Sequence, residues 1–356
     1  MSKRCLLLAF SSLLIGLPAV AGPKTIAEHT QYIQSHPNDS QAYYDRSQVY
    51  FEQGQYPQAL DDISKAILLN PQQASFFLGR GNIFFSTDQY LKALDDYTQA
   101  IKLKPDYVSA YINRGHIFGG LGRNQEALAD YDKAISLDIK ATDAYIGRGA
   151  TYSRLGQDQK ALADYSLAIK YEPDNRYAYY NRGLSYSHLG QEVLAIADYD
   201  KVIGLDPKNA YAYYNRGASY SNLGQQERAL KEYMLALKLN PRIPGVYYNM
   251  GNAQMHLQQP EQAVKAYSQA LALDPNYADA LVGLASAHTM LGQFAEAVKA
   301  YDLALKLNPD NALAHYNRGM IYLGFKQNPE AAADLHKACE LGMDRACAVI
   351  KEKGLN

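Results

Sequence analysis

The sequence predicts an all-α solenoid of stacked helix pairs, and three observations predict it. Ala59, Ala93, Ala127, Ala161, Ala195, Ala229, Ala263, Ala297 and Ala331 recur every 34 residues over nine copies, without insertion or deletion. A fixed period in this range marks a stacked-repeat array. Twelve residues before each alanine stands a small residue: Ser47, Gly81, Gly115, Gly149, Gly183, Gly217, Gly251, Ala285 and Gly319. Proline closes most units, at Pro71, Pro105, Pro173, Pro207, Pro241, Pro275 and Pro309. Arrays of this kind present long surfaces that hold other proteins, which already directs attention away from chemistry.

In sequence order, the first expected element is an export leader at residues 1–21. Met1-Ser-Lys-Arg4 is a basic start, Leu6 to Leu17 an apolar stretch, and Ala19-Val-Ala21 a small-residue cleavage site. The apolar run falls short of the roughly 20 residues that a bilayer crossing needs, so no stable membrane span is expected after cleavage. Cys5 stands at the wrong end of the run for a lipid-modified cysteine. A leader places the mature protein outside the cytoplasm, and a bacterial periplasm is expected rather than an extracellular space or an endoplasmic reticulum lumen. Asn38-Asp-Ser40 would be a glycosylation acceptor only in a eukaryotic secretory pathway. Residues 22–39 read as half a unit, with Pro37 in phase with Pro71. A lone helix there would cover the stacking face that an end repeat exposes.

Nine repeats follow, at 40–73, 74–107, 108–141, 142–175, 176–209, 210–243, 244–277, 278–311 and 312–345. Each reads as two short helices. The first ends at a glycine suited to a left-handed C-terminal position, as in Leu121-Gly122, Leu155-Gly156, Leu189-Gly190 and Leu223-Gly224. The second ends before the proline, which cannot continue a helix. An aromatic lies four residues after the alanine in seven units, Tyr97 to Tyr301, and a small residue seven after it, Ala66 to Ala338 with Val202 the exception. Small residues at facing positions let two helix axes approach, and aromatics fill the space beside them. Residues 346–356 read as a C-terminal capping helix, and the absence of long linkers predicts one continuous array.

This pattern of small, aromatic, alanine, aromatic, alanine and proline resembles the tetratricopeptide repeat family, over residues 40–345. Two features depart from it. The usual tryptophan is replaced by Tyr43, Phe77, Tyr111, Tyr145, Tyr179, Tyr213 and Tyr247, and the eighth repeat carries Leu281 and His288 at aromatic positions. The resemblance implies a right-handed superhelical solenoid whose first helices line a concave face that holds peptides. The family's carboxylate clamp is not implied, because the matching positions hold Tyr180, Tyr211, Tyr214 and Asn215 instead of lysine and arginine.

On that implied face two adjacent positions form the candidate peptide-binding groove. They hold Tyr180-Asn181, Tyr214-Asn215, Tyr248-Asn249 and Tyr316-Asn317, with Asn113 alone in the third repeat and Tyr177 and Tyr211 one turn earlier. The asparagines resemble the amide ladder of the O-GlcNAc transferase superhelix, which bonds a bound peptide's backbone. An asparagine amide offers both donor and acceptor, so it pairs with an extended main chain of any sequence. Tyrosine adds rigid contact area with a polar tip. The other reading is a scaffold that uses its convex face or edges.

A charged column has a structural reading. Arg46, Arg80, Arg114, Arg148, Arg182, Arg216 and Arg318 stand sixteen residues before Asp62, Asp96, Asp130, Asp164, Asp198, Glu232 and Asp334. The two repeats without the arginine, holding Met250 and Leu284, also lack the acid, holding Ala266 and Ala300. Shared presence and loss predict an ion pair between the two helices of a repeat, since an unpaired buried charge is costly.

Cys339 and Cys347 are an even pair in an exported protein and a candidate disulfide. In one unbroken helix they would stand roughly 12 Å apart, too far to bridge, but Gly342 allows a turn between them. Free thiols and a metal site are the alternatives, the last without a histidine at ligand spacing. The spacing resembles cysteine-containing cousins of the repeat family, which bridge consecutive helices.

Nothing points to an enzyme or a cofactor. No nucleophile elbow, phosphate loop or metal-ligand spacing appears. His188 and His256 share a position two repeats apart, read as surface variation. Losing Lys3 and Arg4 with the leader takes the formal charge from −1 to −3, without the basic stripe that nucleic acid requires. The expected partners are proteins or peptides.

Overall fold

The computed structural model describes residues 25–355, and the leader expected at residues 1–21 lies outside them. Among the described residues the structure is helical, with 20 helices in consecutive helix-turn-helix pairs and no strand. Repeat one holds Ser40–Glu52 and Tyr56–Leu69, and the pattern continues to Ala312–Gly324 and Asn328–Glu340 in repeat nine. A helix at Ile26–Ser35 precedes the first pair, and the closing helix, expected from residue 346, spans Asp344–Lys353. No described helix is long and apolar enough to cross a membrane. The protein divides into two compact units that part at Leu189 and Gly190, inside repeat five.

Local chemistry sets the helix boundaries. Asp39, Asn175, Asn209 and Asn311 each accept a backbone N–H from the first turn of the helix they precede, which satisfies donors that a helix start leaves open. Thr25 and Glu28 form a reciprocal capping box at the first described helix. Between the helices of every repeat, one position takes positive φ. Gly54, Gly122, Gly156, Gly190, Gly224 and Gly292 hold it, but so do Asp88, Gln258 and Lys326 at φ near 58–59°.

The alanine column is fully buried in all nine repeats. Opposite it, the aromatic of the second helix explains the small residue of the first. A Cβ added to Gly81 would lie 2.6 Å from the Tyr97 ring, and one on Gly217 2.7 Å from Tyr233. Tyr131 and Tyr267 stand as close to a Cβ on Gly115 and Gly251, at 2.9 and 2.6 Å, and they also reach the following repeat, where a Cβ on Gly147 would lie 2.5 Å from Tyr131 and one on Gly283 2.6 Å from Tyr267. Each of these tyrosines is therefore a wedge between its own first helix and the next one.

Candidate peptide groove and inter-repeat staples

The tyrosine column expected to open onto a concave face turns largely inward. Its register is shared by Leu78, Ile112, Ile146 and Val282, all buried, and Tyr44 is only 3% exposed. Tyr214 packs in a core with Tyr233 and Val246, its ring 6.2 Å from that of Tyr233. Tyr248 lies 6.0 Å from Tyr267 and 5.0 Å from Tyr277, and Tyr316 packs on the closing core of Leu335, Ala338 and Ala346. Tyr177 and Tyr180 are half-buried, and Tyr177 accepts from Arg176 at 3.1 Å. Tyr211 alone in the expected tyrosine set is well exposed, at 52%. The physical reason is the wedge: the second-helix tyrosine of one repeat draws this register of the next repeat into the interface.

The asparagines meet the same constraint. Asn113 is 2% exposed, so it cannot serve a peptide as expected. Its amide donates to Asn82 Oδ1 at 3.0 Å, and that oxygen also accepts from Tyr97 at 2.8 Å. Asn249 donates to the Tyr214 hydroxyl at 3.2 Å, which makes it a contact between repeats as well as a candidate groove residue. Asn181, Asn215 and Asn317 are half-buried.

Open space lies one to two turns further along the first helices. In the second unit, Ala218, Ser221, Asn222, Asn249, Asn252, Met255 and His256 surround a polar recess of about 320 Å³, with Tyr233 among its lining. A second recess of about 410 Å³ is mostly apolar, lined by Phe294, Met320, Ile321 and Phe325 with Ser286, Thr289 and Asn317. Phe294 and Phe325 meet edge to face at 5.4 Å, and Met320 and Phe325 are 38% and 57% exposed. Sequence reasoning missed both recesses. One signal was available: the position shared by His188 and His256, read as surface variation, is the one that lines the polar recess with Asn222 and His256. The same position links consecutive repeats, since Asn222 donates to Glu192 at 2.6 Å and His188 Nδ1 lies 3.4 Å from Asp158.

The arginine column is a staple with more ends than the sequence suggested. Arg46–Asp62, Arg80–Asp96, Arg114–Asp130, Arg148–Asp164, Arg216–Glu232 and Arg318–Asp334 are ion pairs at 2.6–2.8 Å. Arg182 and Asp198 belong to different units, and Arg182 donates to Ser166 at 3.2 Å. The other guanidinium nitrogen reaches sixteen residues back, to Thr30, Thr98, Asp132, Asp200 and Asp302 for Arg46, Arg114, Arg148, Arg216 and Arg318. Arg46 also lies 5.9 Å from the centres of both Tyr43 and Tyr50, one turn to either side. Burial holds the Asp96, Asp130 and Asp164 carboxyls above their ordinary range despite the facing arginine. Desolvation thus opposes the attraction in these three pairs, and removing either partner would strand a buried charge.

At the C-terminal end Cys339 and Cys347 are joined, with Cα atoms 5.0 Å apart, across a turn where Gly342 takes φ +88°. The closing helix lays Ala346, Val349 and Ile350 on Leu335 and Ala338.

Family models described as tetratricopeptide repeat match residues 30–61, 108–138, 177–209, 199–231, 248–312 and 291–346, and one described as TPR repeat matches 48–88, 81–122 and 154–190. No curated protein matches the sequence. Among solved structures, the Cut9–Hcn1 hetero-tetramer of APC/C is similar over 99% of this protein and 83% of its own length, at 14% identity and a TM-score of 0.57. A tetratricopeptide repeat protein from Parabacteroides merdae is similar over 72% and 98%, at 17% identity and a TM-score of 0.54. PilF of Pseudomonas aeruginosa is similar over 60% and 98%, at 22% identity and a TM-score of 0.54. At these identities the structures speak for the fold. Repeat register, helix pairing and family models agree: the protein belongs to the tetratricopeptide repeat family.

Proposed function

We propose that this protein is an exported, non-enzymatic adaptor that holds an extended segment of a partner protein along the first helices of repeats six to nine. The fold is typically a non-catalytic scaffold for protein interaction. The observation that carries the finer reading is the pair of recesses of different chemistry on one helix register. The polar one offers amide donors and acceptors to a peptide main chain. The apolar one, between Met320 and the Phe294–Phe325 pair, suits a large apolar side chain that fixes the peptide's position. Export is supported by the basic, apolar and small-residue pattern of residues 1–21.

A second reading uses the outer face, and it has its own observation: Val193 and Met234 on second helices are 69% and 62% exposed. Exposed apolar residues of that kind can mark a docking surface. Selection from a displayed library of unstructured peptides separates the two. Groove binding predicts enriched peptides with a shared apolar residue. Enrichment of nothing, while folded proteins co-purify from the native host, would overturn the groove reading and favour the outer face.

A further inference from the structure

Arg154 is a half-buried cation with no counter-charge bonded to it among the described residues. It stands near the end of the first helix of repeat four, in the register that Asn222 and His256 occupy beside the polar recess. Its Nη1 donates to the Gly119 carbonyl at 2.6 Å and to Asn124 Oδ1 at 2.8 Å, both neutral acceptors. Its Nε is buried and bonds nothing among the described residues, and neither does the nearby Tyr131 hydroxyl. Burial pushes the guanidinium below its ordinary range.

The two following repeats show what is missing. There the residue thirty positions earlier is an acid, Asp158 against His188 and Glu192 against Asn222. In repeat four the arginine faces the amide of Asn124 instead. Asp158, four residues on from Arg154, already accepts from Ser153 at 2.7 Å. The carboxylates are therefore set opposite an imidazole and an amide, and the permanent cation of this register is set opposite an amide. A desolvated charge without a counter-charge is costly to keep, and such charges concentrate at functional sites.

We propose that Arg154 forms an anion subsite on the first-helix face of repeats three and four, and that it receives a carboxylate from the bound partner. The guanidinium has five N–H donors in a planar fork, and Nη1 uses two of them, so a carboxylate can pair with the donors that remain outside the buried edge. The carboxylate can come from an Asp or Glu side group or from the partner's own C-terminus. This inference rests on the reading that first helices carry the partner, and it extends that reading from repeats six to nine to repeats three and four.

The test uses small probes and the full mature protein, so it does not depend on any peptide being found. The Arg154 Nε–H resonance is followed during titration with N-acetyl-aspartic acid α-amide, N-acetyl-alanine and the neutral N-acetyl-asparagine α-amide. A saturable shift with either carboxylate, at least tenfold weaker with the neutral amide, is expected. The tighter of the two carboxylates identifies the source. Asn124→Asp supplies the missing charge internally, at a helix start where an acid is favourable, and should weaken carboxylate binding at least tenfold without loss of fold. Equal shifts with all three probes, or unchanged carboxylate binding in Asn124→Asp, would overturn the proposal. Carboxylate binding in a protein that selects no peptide would leave the subsite standing and sink the groove reading.

Discussion

Asp88, Gln258 and Lys326 hold a left-handed backbone conformation that six other repeats assign to glycine. A Cβ in that region costs roughly 1–2 kcal/mol, part of which a glycine gives back as unfolded-state entropy. Gln258→Gly and Lys326→Gly should therefore each stabilise by about 0.5–1 kcal/mol, read as a higher urea midpoint at unchanged slope. Lower midpoints would mean that these side chains support the turn. A second residue-scale effect depends on pH. Burial raises the Asp143 carboxyl to about 6, with Glu172 adding to the shift. A carboxyl whose folded value lies above its unfolded one binds its proton more readily in the native state. Its ionisation then costs native stability at pH 7, and that cost disappears as pH falls through about 6 towards the unfolded value near 4. Asp143→Asn should gain about 1–2 kcal/mol at pH 7 and little at pH 4. His116 works in the other direction, since burial pushes it down to about 3, so variant and parent must be measured side by side at each pH. An equal gain at both values would contradict the shift.

At the scale of elements, the strict columns were legible because they have one physical solution. Alanine where helices touch, glycine beneath a tyrosine ring and proline after a second helix read the same in sequence and structure. The arginine–acid pairs were legible through their shared loss in repeats seven and eight. Their second contact was not, because the partner sixteen residues back varies between threonine, serine and aspartate and makes no visible column. The groove was legible least well. A polar residue at a periodic position serves either a ligand or a buried neighbour, and the tyrosine wedge that decides the matter, as at Asn113 and Asn249, is a contact between repeats. Two variants test the element-scale account. Ala229→Leu should overpack the helix pair by about 1–3 kcal/mol. Arg114→Ala should cost about 3–5 kcal/mol by stranding Asp130, whereas Arg114→Met with Asp130→Ala should recover much of it. A double variant as unstable as the sum of its singles would refute the staple.

For the whole molecule, stability and function follow from repeats that lean on their neighbours. Reduction of the Cys339–Cys347 bridge should fray the closing helix and the last repeat while leaving distant repeats intact, as hydrogen exchange can show. Uniform loss of protection along the array would argue against that independence. The same modularity lets one register carry different chemistry along its length, polar in repeats six and seven and apolar in repeats eight and nine. The central claim is that this register, not the outer face, binds the partner. Its most direct test is the affinity of a library-selected peptide for three forms of the mature protein. The parent is compared with a groove variant, His256→Asp with Met320→Glu and Phe325→Ser, and with an outer-face variant, Lys201→Glu with Lys238→Glu and Gln269→Glu. All six positions are exposed, and Met320 and Phe325 border the apolar recess. At least a tenfold loss in the groove variant, with parent-like affinity in the outer-face variant and equal melting temperatures, is the predicted result. Full affinity in the groove variant with loss in the outer-face variant would contradict the account.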